Sequence, residues 1–461
     1  MDTLLNKIRI TVFANDLDAF VPEVWAAESL MILHENVVAA KLVHTDFSNE
    51  VAQAGDVINT RRPAKFTSKR KVDTDDVTDQ DATATNVAVK LDQHHHVSFV
   101  IKDGEETKGF KNLRDTYLAP AMQAVAQGID EAVIGQKYEF LPNLVSQLGV
   151  DATISSIIDA GVKMDENLAP SVGRNMIVSP KVQGQLQAIT AFHEADKVGD
   201  DGSALREGSL GRKFGFQTHM SQNSRSVTAS DVVTGAINDT TSLGVGATVF
   251  NVDGFSAAIV PGTWCTIAGD MTPQLITAVT GGGTPTEITI TPGTYNAVTN
   301  NAVVTVYDPA LVNLSAGYAA GWVKPMVIDD ITLAPRVGQL VSQGVTASAL
   351  RHYGAMSTPT ATEVEFNRAV ETALADDDVL GLGPAGEYTW AFHRNAVALV
   401  TRPLAAPASG TGALSFVADS EGLSVRVTIT YDGKAQGHRV TVDLLGGVKT
   451  LDTNLGCLIL G

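Results

Sequence analysis

Between Ser226 and about Pro309 the chain changes character, and that change limits what the whole can fold into. The stretch is rich in Thr, Val, Gly and Asn and almost free of charged residues. "TVFNVDGF", "GTWCTIAG", "QLITAV", "TEITITPG" and "AVVTVYD" are short β-forming runs split by turns, among them "TGGGTPT". Residues branched at Cβ suit a pleated surface, and the regular punctuation ends one strand before the next begins. The block therefore reads as a small all-β barrel or sandwich. The chain before it alternates strand and helix, so the block is an insert. Residues 310–388 carry no clear domain signal; within them "TEVEFNRAVETALADDD" reads as a helix.

Ahead of the insert, residues 16–45 read as mostly helical after Pro22, with Val24, Ala27, Leu30, Met31, Leu33 and Val37 at roughly helical spacing. A turn at Gly55 leads into a strand ending at Pro63. Two charge blocks follow without an apolar run between them. The first holds Arg61, Arg62, Lys65, Lys69, Arg70 and Lys71; the second holds Asp73, Asp75, Asp76, Asp79 and Asp81. Such a segment cannot bury a core of its own, and it reads as the two arms of a long solvated hairpin. Two readings stand: a charged surface loop, or a loop that lies on a neighbouring copy and pairs its charges there.

The return arm, "TNVAVKLDQHHHVSFVIKD", alternates as a strand does. His94 and His96 then share one face and His95 takes the other. Two ligands on a face fall short of a zinc site, so a half-buried strand with locally bonded histidines is the simpler reading. Residues 109–138 form the best helix, with Leu113, Tyr117, Leu118, Ala121, Met122, Val125, Ile129, Ala132 and Val133 on one stripe, and Pro120 as a kink or a late start. The long helix with a polar back reads as a strut. Residues 150–225 alternate helix and strand, "YTWAFHRNAVALVTRPL" reads as a buried strand or helix start, and alternating strands close the chain.

The net charge of −18 argues against a general nucleic-acid binder, which needs an excess of Lys and Arg. Cys265 and Cys457 are far apart and encode neither a zinc cluster nor a disulfide scaffold. The first residues lack a signal-peptide pattern, and no run of about 18 apolar residues occurs, so the chain is expected to fold in a cytoplasm. There is no H-E-x-x-H, G-x-S-x-G or P-loop. Asp376, Asp377 and Asp378 do not follow a calcium-loop pattern, and His393, Arg394 and Asn395 have no nucleophile beside them. The expectation is a protein that is not an enzyme and holds no metal or cofactor.

In order, the pieces are a helical arm, a charged hairpin, a long helix with "YLAPAMQAVAQGID", an α/β region with "MIVSPKV" and "GRKFGFQTHMSQN", a β insert, and a return through "FHRNAVALVTRPL" and "GVKTL". This order resembles the major capsid (coat) proteins of tailed bacteriophages, of the podophage type that carries an inserted domain. The resemblance implies an α+β chain with the Hong Kong 97-like capsid fold. It implies an N-terminal arm (1–55), an extended hairpin loop (56–108) and a peripheral domain with a long spine helix (109–149). An axial domain (150–225), an inserted β-rich domain (226–388) and a return through the axial and peripheral domains (389–461) follow. Residues 310–388 are longer than the family leads one to expect.

The function implied is self-assembly, in a bacterial cytoplasm, into the icosahedral virion shell around a double-stranded DNA genome. The partners implied are further copies in hexamers and pentamers, a scaffolding protein, a portal, a decoration protein and non-specific contact with packaged DNA, with no membrane. The expected inter-subunit residues are Arg61, Arg62, Lys65, Lys69, Arg70, Lys71, Asp73, Asp75, Asp76, Asp79, His94, His95 and His96. Charged imidazoles side by side would repel below about pH 6, which would make assembly sensitive to acid. The competing readings are an encapsulin-like nanocompartment shell and a carbohydrate-binding or adhesive surface protein.

Overall fold

The computed structural model describes residues 37–45, 57–62, 85–104, 117–193, 210–227, 232–307, 316–328, 337–344, 350–356, 362–402, 404–408, 413–420 and 423–461, apart from Gly283 and Asp377, with short stretches between them. β1 (Val57–Arg62) and β2 (Thr85–Lys90) pair antiparallel, Val57 opposite Lys90 and Arg62 opposite Thr85. The return arm then breaks at Leu91 and Asp92 and resumes as β3 (Gln93–Lys102). α1 (Ala119–Gly135) starts with Pro120 in its first turn, where a missing N–H costs nothing, so the proline marks a late start. Its stripe Ala121, Met122, Val125, Ile129, Ala132 and Val133 is buried as expected. Leu113 lies outside the described residues. The polar back does not persist: Asp130, Glu131, Ile134 and Gly135 are buried too, so the last turns of the helix are enclosed.

The next unit begins at β4 (Leu144–Val145). α2 (Ile154–Glu166) opens with a capping box, in which Ser156 N–H donates to Thr153 Oγ1 at 3.3 Å and Thr153 N–H donates to Ser156 Oγ at 3.1 Å. β5 (Arg174–Val178) and α3 (Pro180–Gln187) follow; Ser179 caps α3, accepting from Val182 N–H at 3.2 Å. α4 (Thr190–His193), β6 (Arg212–Lys213) and β7 (Phe216–Met220) complete this part.

Residues 232–307 hold a closed barrel of β8 (Val232–Ile237), β9 (Val249–Asp253), β10 (Trp264–Ile267), β11 (Gln274–Thr280), β12 (Glu287–Thr291) and β13 (Val303–Tyr307), in the order β10-β11-β12-β9-β8-β13. Its core is Ile237, Phe250, Val252, Ile267, Ile276, Ile288, Ile290, Val304 and Val306 with their neighbours. β8 was not among the expected strands. Gly235 interrupts its pattern, and the Phe255 ring lies where a Cβ would stand.

A second β unit follows, made of β14 (Val312–Asn313), β15 (Met326–Val327), β16 (Leu340–Gln343), β17 (Arg351–Gly354), β18 (Glu363–Val364) and β19 (Val379–Leu382). The sheet order is β14-β19-β16-β17, with β15 and β18 paired apart. The helix expected over 362–378 does not form: among its described residues Glu363–Val364 is strand, Phe366 and Leu374 make single bridges, and turns and bends lie between them. Its backbone finds partners far away in sequence: Asn367 N–H donates to Gly354 O at 3.0 Å and Leu374 N–H to Tyr318 O at 2.8 Å, while Glu365 O accepts from Met356 N–H at 2.9 Å. Val364, Phe366, Val370 and Leu374 enter a core with Tyr353, which stacks on Phe366 at 4.3 Å. Those gains outweigh the local helical preference.

The chain returns as β20 (Tyr388–His393), β21 (Val397–Arg402), β22 (Leu414–Ser420), β23 (Leu423–Asp432), β24 (Gly437–Thr450) and β25 (Gly456–Leu460). β20 is a buried strand throughout. One sheet, β4-β25-β20-β5-β7-β6, thus draws its strands from residues 144–220 and 388–460, on either side of the barrel and the second β unit in sequence. The other runs β21-β24-β23-β22, with β3 added to β24. The largest core packs α1 against β23, β24, β20 and β25, and a second core packs α2 and α3 on the central sheet. Each fully buried Val, Leu, Ile or Met contributes about 1.5–3 kcal/mol there.

Candidate inter-subunit interface

The strand pairing decides what the histidines do. β3 lies antiparallel on β24 from Gln93 opposite Gly446 to Lys102 opposite Gly437. Alternation sends Ile101, Val440, Val442 and Leu444 into the core under α1. The other face carries His94, His96, Ser98, Arg426, Arg439, Thr441 and Asp443, with His94, His96, Ser98 and Arg439 exposed.

His94 Nε2 stands 3.5 Å from Asp443 Oδ2. Asp443 is itself buried, and the Arg426 guanidinium grips it with two hydrogen bonds, Nε to Oδ1 at 3.0 Å and Nη2 to Oδ2. A buried carboxylate persists only with such pairing. Ser98 Oγ and Thr441 Oγ1 share a hydrogen bond of 3.0 Å beside it.

His95 points the other way. Its Nε2 lies 3.3 Å from Gln93 Oε1, and a Cβ added to Gly128 of α1 would meet its Nδ1 at 2.9 Å. Burial first, then the neighbouring His94 and His96, pulls its pKa down to about 4. His95 is therefore a neutral packing residue, and a run of three charged imidazoles does not arise. Only His94 and His96, with ring centroids 5.8 Å apart, face outward together.

Among the described residues of the charge blocks, Arg61 and Arg62 stand in a paired arm, at the end of β1. The pairing is made by "VINTRR" and "TNVAVK", with Arg61 opposite Asn86 and Arg62 opposite Thr85. Lys69, Arg70, Lys71, Asp76 and Asp79 lie exposed in the connection between β1 and β2. Lys65, Asp73 and Asp75 lie outside the described residues. The root of the hairpin is seated, because Val89 is buried against Ala398 and Val400 of β21.

Two anchors escaped the sequence reading, because each joins residues far apart in the chain. Asp130 of α1 accepts hydrogen bonds from the N–H groups of Val38, Ala39 and Ala40 at 3.0, 3.1 and 3.3 Å. Burial outweighs those bonds and pushes its carboxyl up to about 6. Just beyond the C-terminus of α1, Arg368 pairs with Glu139 and, at 3.2 Å, with Glu371, which also binds Arg351 at 2.9 Å and Lys449 at 2.6 Å. That network ties the second β unit to the scaffold.

Among the described residues, no group of three His, Cys, Asp or Glu side chains is placed to hold a metal ion, and no helix is long and apolar enough to cross a membrane. His393 Nδ1 accepts from Asn395 N–H at 3.2 Å and caps a turn. Asp378 does the same for Ala375 N–H at 2.7 Å.

No protein-family model and no curated protein matches the sequence. Among solved structures the chain is similar to one titled Mycobacterium phage Che8, at 12% identity and a TM-score of 0.43, over 92% of this chain and 90% of that one. It is similar to the capsid structure of the cyanophage P-SCSP1u at 10% identity and a TM-score of 0.43, over 92% and 88%. It is also similar to the mature capsid of bacteriophage PhiM1 at 10% identity and a TM-score of 0.39, over 88% and 82%.

Proposed function

We propose that the chain is the major capsid protein of a tailed bacteriophage and assembles, through copies of itself, into an icosahedral shell around double-stranded DNA. With every quoted TM-score below 0.5, the reading rests on the chain's own geometry. The observation that carries it is the β1–β2 arm, a two-stranded ribbon seated at its root and ending in exposed cations and acids. Two strands alone are marginal in water, so such an arm is best accounted for by a surface on another copy. In this reading α1 is the spine helix of a Hong Kong 97-like fold, β22–β24 with β3 belong to the peripheral domain, and the sheet from β4 to β6 belongs to the axial domain.

The role is structural and non-enzymatic, in the virion, after assembly in the bacterial cytoplasm. A scaffolding protein, a portal and decoration proteins are the partners such a shell needs. The net charge of −18 limits DNA contact to a few non-specific sites. Two consecutive inserted β units favour a capsid over an encapsulin-like compartment. Negative-stain microscopy with sedimentation velocity tests the reading: closed shells or rings of five and six subunits are expected, and a protein that stays monomeric even beside a phage scaffold overturns it.

A further inference from the structure

β3 is the outermost strand of its sheet: among the described residues β24 alone pairs with it, over its whole length. Just past the last pair of that ladder, Asp103 N–H donates to Gln436 O at 3.0 Å. Bonded positions alternate along an antiparallel pair, so the odd-numbered residues of β3 bond to β24. The N–H and C=O groups of His94, His96, Ser98, Val100 and Lys102 point the other way, and no described residue bonds to them. Four of these five residues are exposed, so the edge is open. An open edge of this length is a template for another strand.

Two features beside the edge suit a further strand. On the side facing α1, Val97 and Phe99 are only half-buried against the core, so the apolar face of the sheet is uncovered at its margin. At the Gln93 end, a cavity of about 470 Å³ lies between β3 and the second β unit, which lines it with Val323, Pro325, Met356 and Phe366.

The sequence holds a segment with the pattern that such an edge takes. Residues 7–13, "KIRITVF", lie outside the described residues and alternate Ile8, Ile10 and Val12 with Lys7, Arg9 and Thr11. In a strand this alternation gives one apolar and one polar face, as β3 has. The segment is also tethered close by, because Leu33 is buried in the core that takes Ile101 of β3. From Phe13 to Leu33 the chain reaches about 30 Å even as a helix, and β3 is itself about 33 Å long.

We propose that residues 7–13 add as a strand to the open edge of β3 in the same chain. Main-chain hydrogen bonds to the free N–H and C=O groups of β3 hold it, and alternate side chains fix its facing. Ile8, Ile10 and Val12 extend the apolar face past Val97 and Phe99, while Lys7, Arg9 and Thr11 join the polar face of His94, His96 and Ser98. The tether favours the chain's own segment over that of a second copy, since it holds the segment at an effective concentration of about a millimolar. The contact lies within one chain and does not depend on shell assembly.

The test is hydrogen exchange, resolved to single amides, on the full-length chain and on an Ile10→Pro, Thr11→Pro variant, which cannot donate from either side of the added strand. The amides of His96, Ser98 and Val100 should be protected in the wild type and exchange at least about tenfold faster in the variant. Those of Val97, Phe99 and Ile101, bonded to β24, should not change, which reports an intact fold. A synthetic peptide of residues 5–15 should restore the protection to the variant. Fast exchange at His96, Ser98 and Val100 in the wild type overturns the proposal, as does protection that survives both prolines. Protection that fades on dilution of the wild type assigns the edge to a second copy and overturns the contact within one chain. A nitroxide on Thr11→Cys gives a check that does not rely on proline; the native cysteines are buried and escape the label. It should broaden the β3 amides more than those of β22 at the sheet's other edge, and equal broadening overturns the proposal.

Discussion

The barrel and the second β unit are neighbours in sequence and are both built from short strands, yet they hold together differently. Every barrel strand pairs with barrel strands, and the core beneath them is made of barrel side chains. The second unit has a core of its own but is fastened from outside. Asn367 donates to Ala132 O of α1 at 3.2 Å, Gln93 of β3 donates to Asn367 O, and Arg368 reaches Glu139. Gly354 lies so close to α1 that an added Cβ would meet Gly135 Cα at 2.8 Å. A unit that closes on itself is written into its own residues, whereas a unit that leans on a scaffold is only half written there.

The separation of the two units gives way most sharply at Trp264, a barrel residue that crosses to the other unit. It is buried, its Nε1 donates to Ser342 Oγ at 2.9 Å, and its ring lies 5.7 Å from that of His352. Trp264→Ala should cost about 3–5 kcal/mol, as removal of a buried aromatic does. It should lower the denaturant midpoint of both units together; a loss confined to the barrel would mean the two are independent. Asn367→Ala separates them. It strips Gly354 N–H of its 2.9 Å partner and should cost about 1–3 kcal/mol. Hydrogen exchange should speed up across 351–374 while the barrel strands keep their protection.

The smallest expected effect is one of pH. The Glu365 carboxyl is pushed up to about 7, by burial first and then by Glu131 and Glu363. A folded-state pKa above the ordinary carboxylate range means that its contribution is complete below that range and is lost as pH rises through about 7. The docked second unit should therefore melt at a lower temperature at pH 8 than at pH 5. Glu365→Gln should flatten that slope, and a slope unchanged in the variant would assign it to other groups.

Where the reading succeeded, the residues concerned needed only their near neighbours. "TEITITPG" and "AVVTVYD" alternate, and Ile288, Ile290, Val304 and Val306 point into the barrel. Pro120 places the start of α1, and Pro180 opens α3. Where it failed, the deciding partner lay elsewhere. "TEVEFNRAVETALADDD" looks helical in isolation, but its Phe366 and Val370 had a core to enter and its backbone had strands to bond. Of the candidate interface residues, the facing of His94, His95 and His96 was legible, because period two is local geometry. The hold of Arg426 on Asp443, and of Asp443 on His94, was not legible.

The sequence by itself determined the alternation of β3, the short strands of the barrel and the helices of the central unit. Each depends on periodicity, capping or turn chemistry, which act over a few residues. Only the tertiary structure decided that Asp130 would grip Val38, Ala39 and Ala40 from about ninety residues away, that the last turns of α1 would be enclosed, and that 362–376 would form no helix. In each case a buried polar group or backbone donor had to be satisfied, and which distant group came within reach was set by how the sheets stacked.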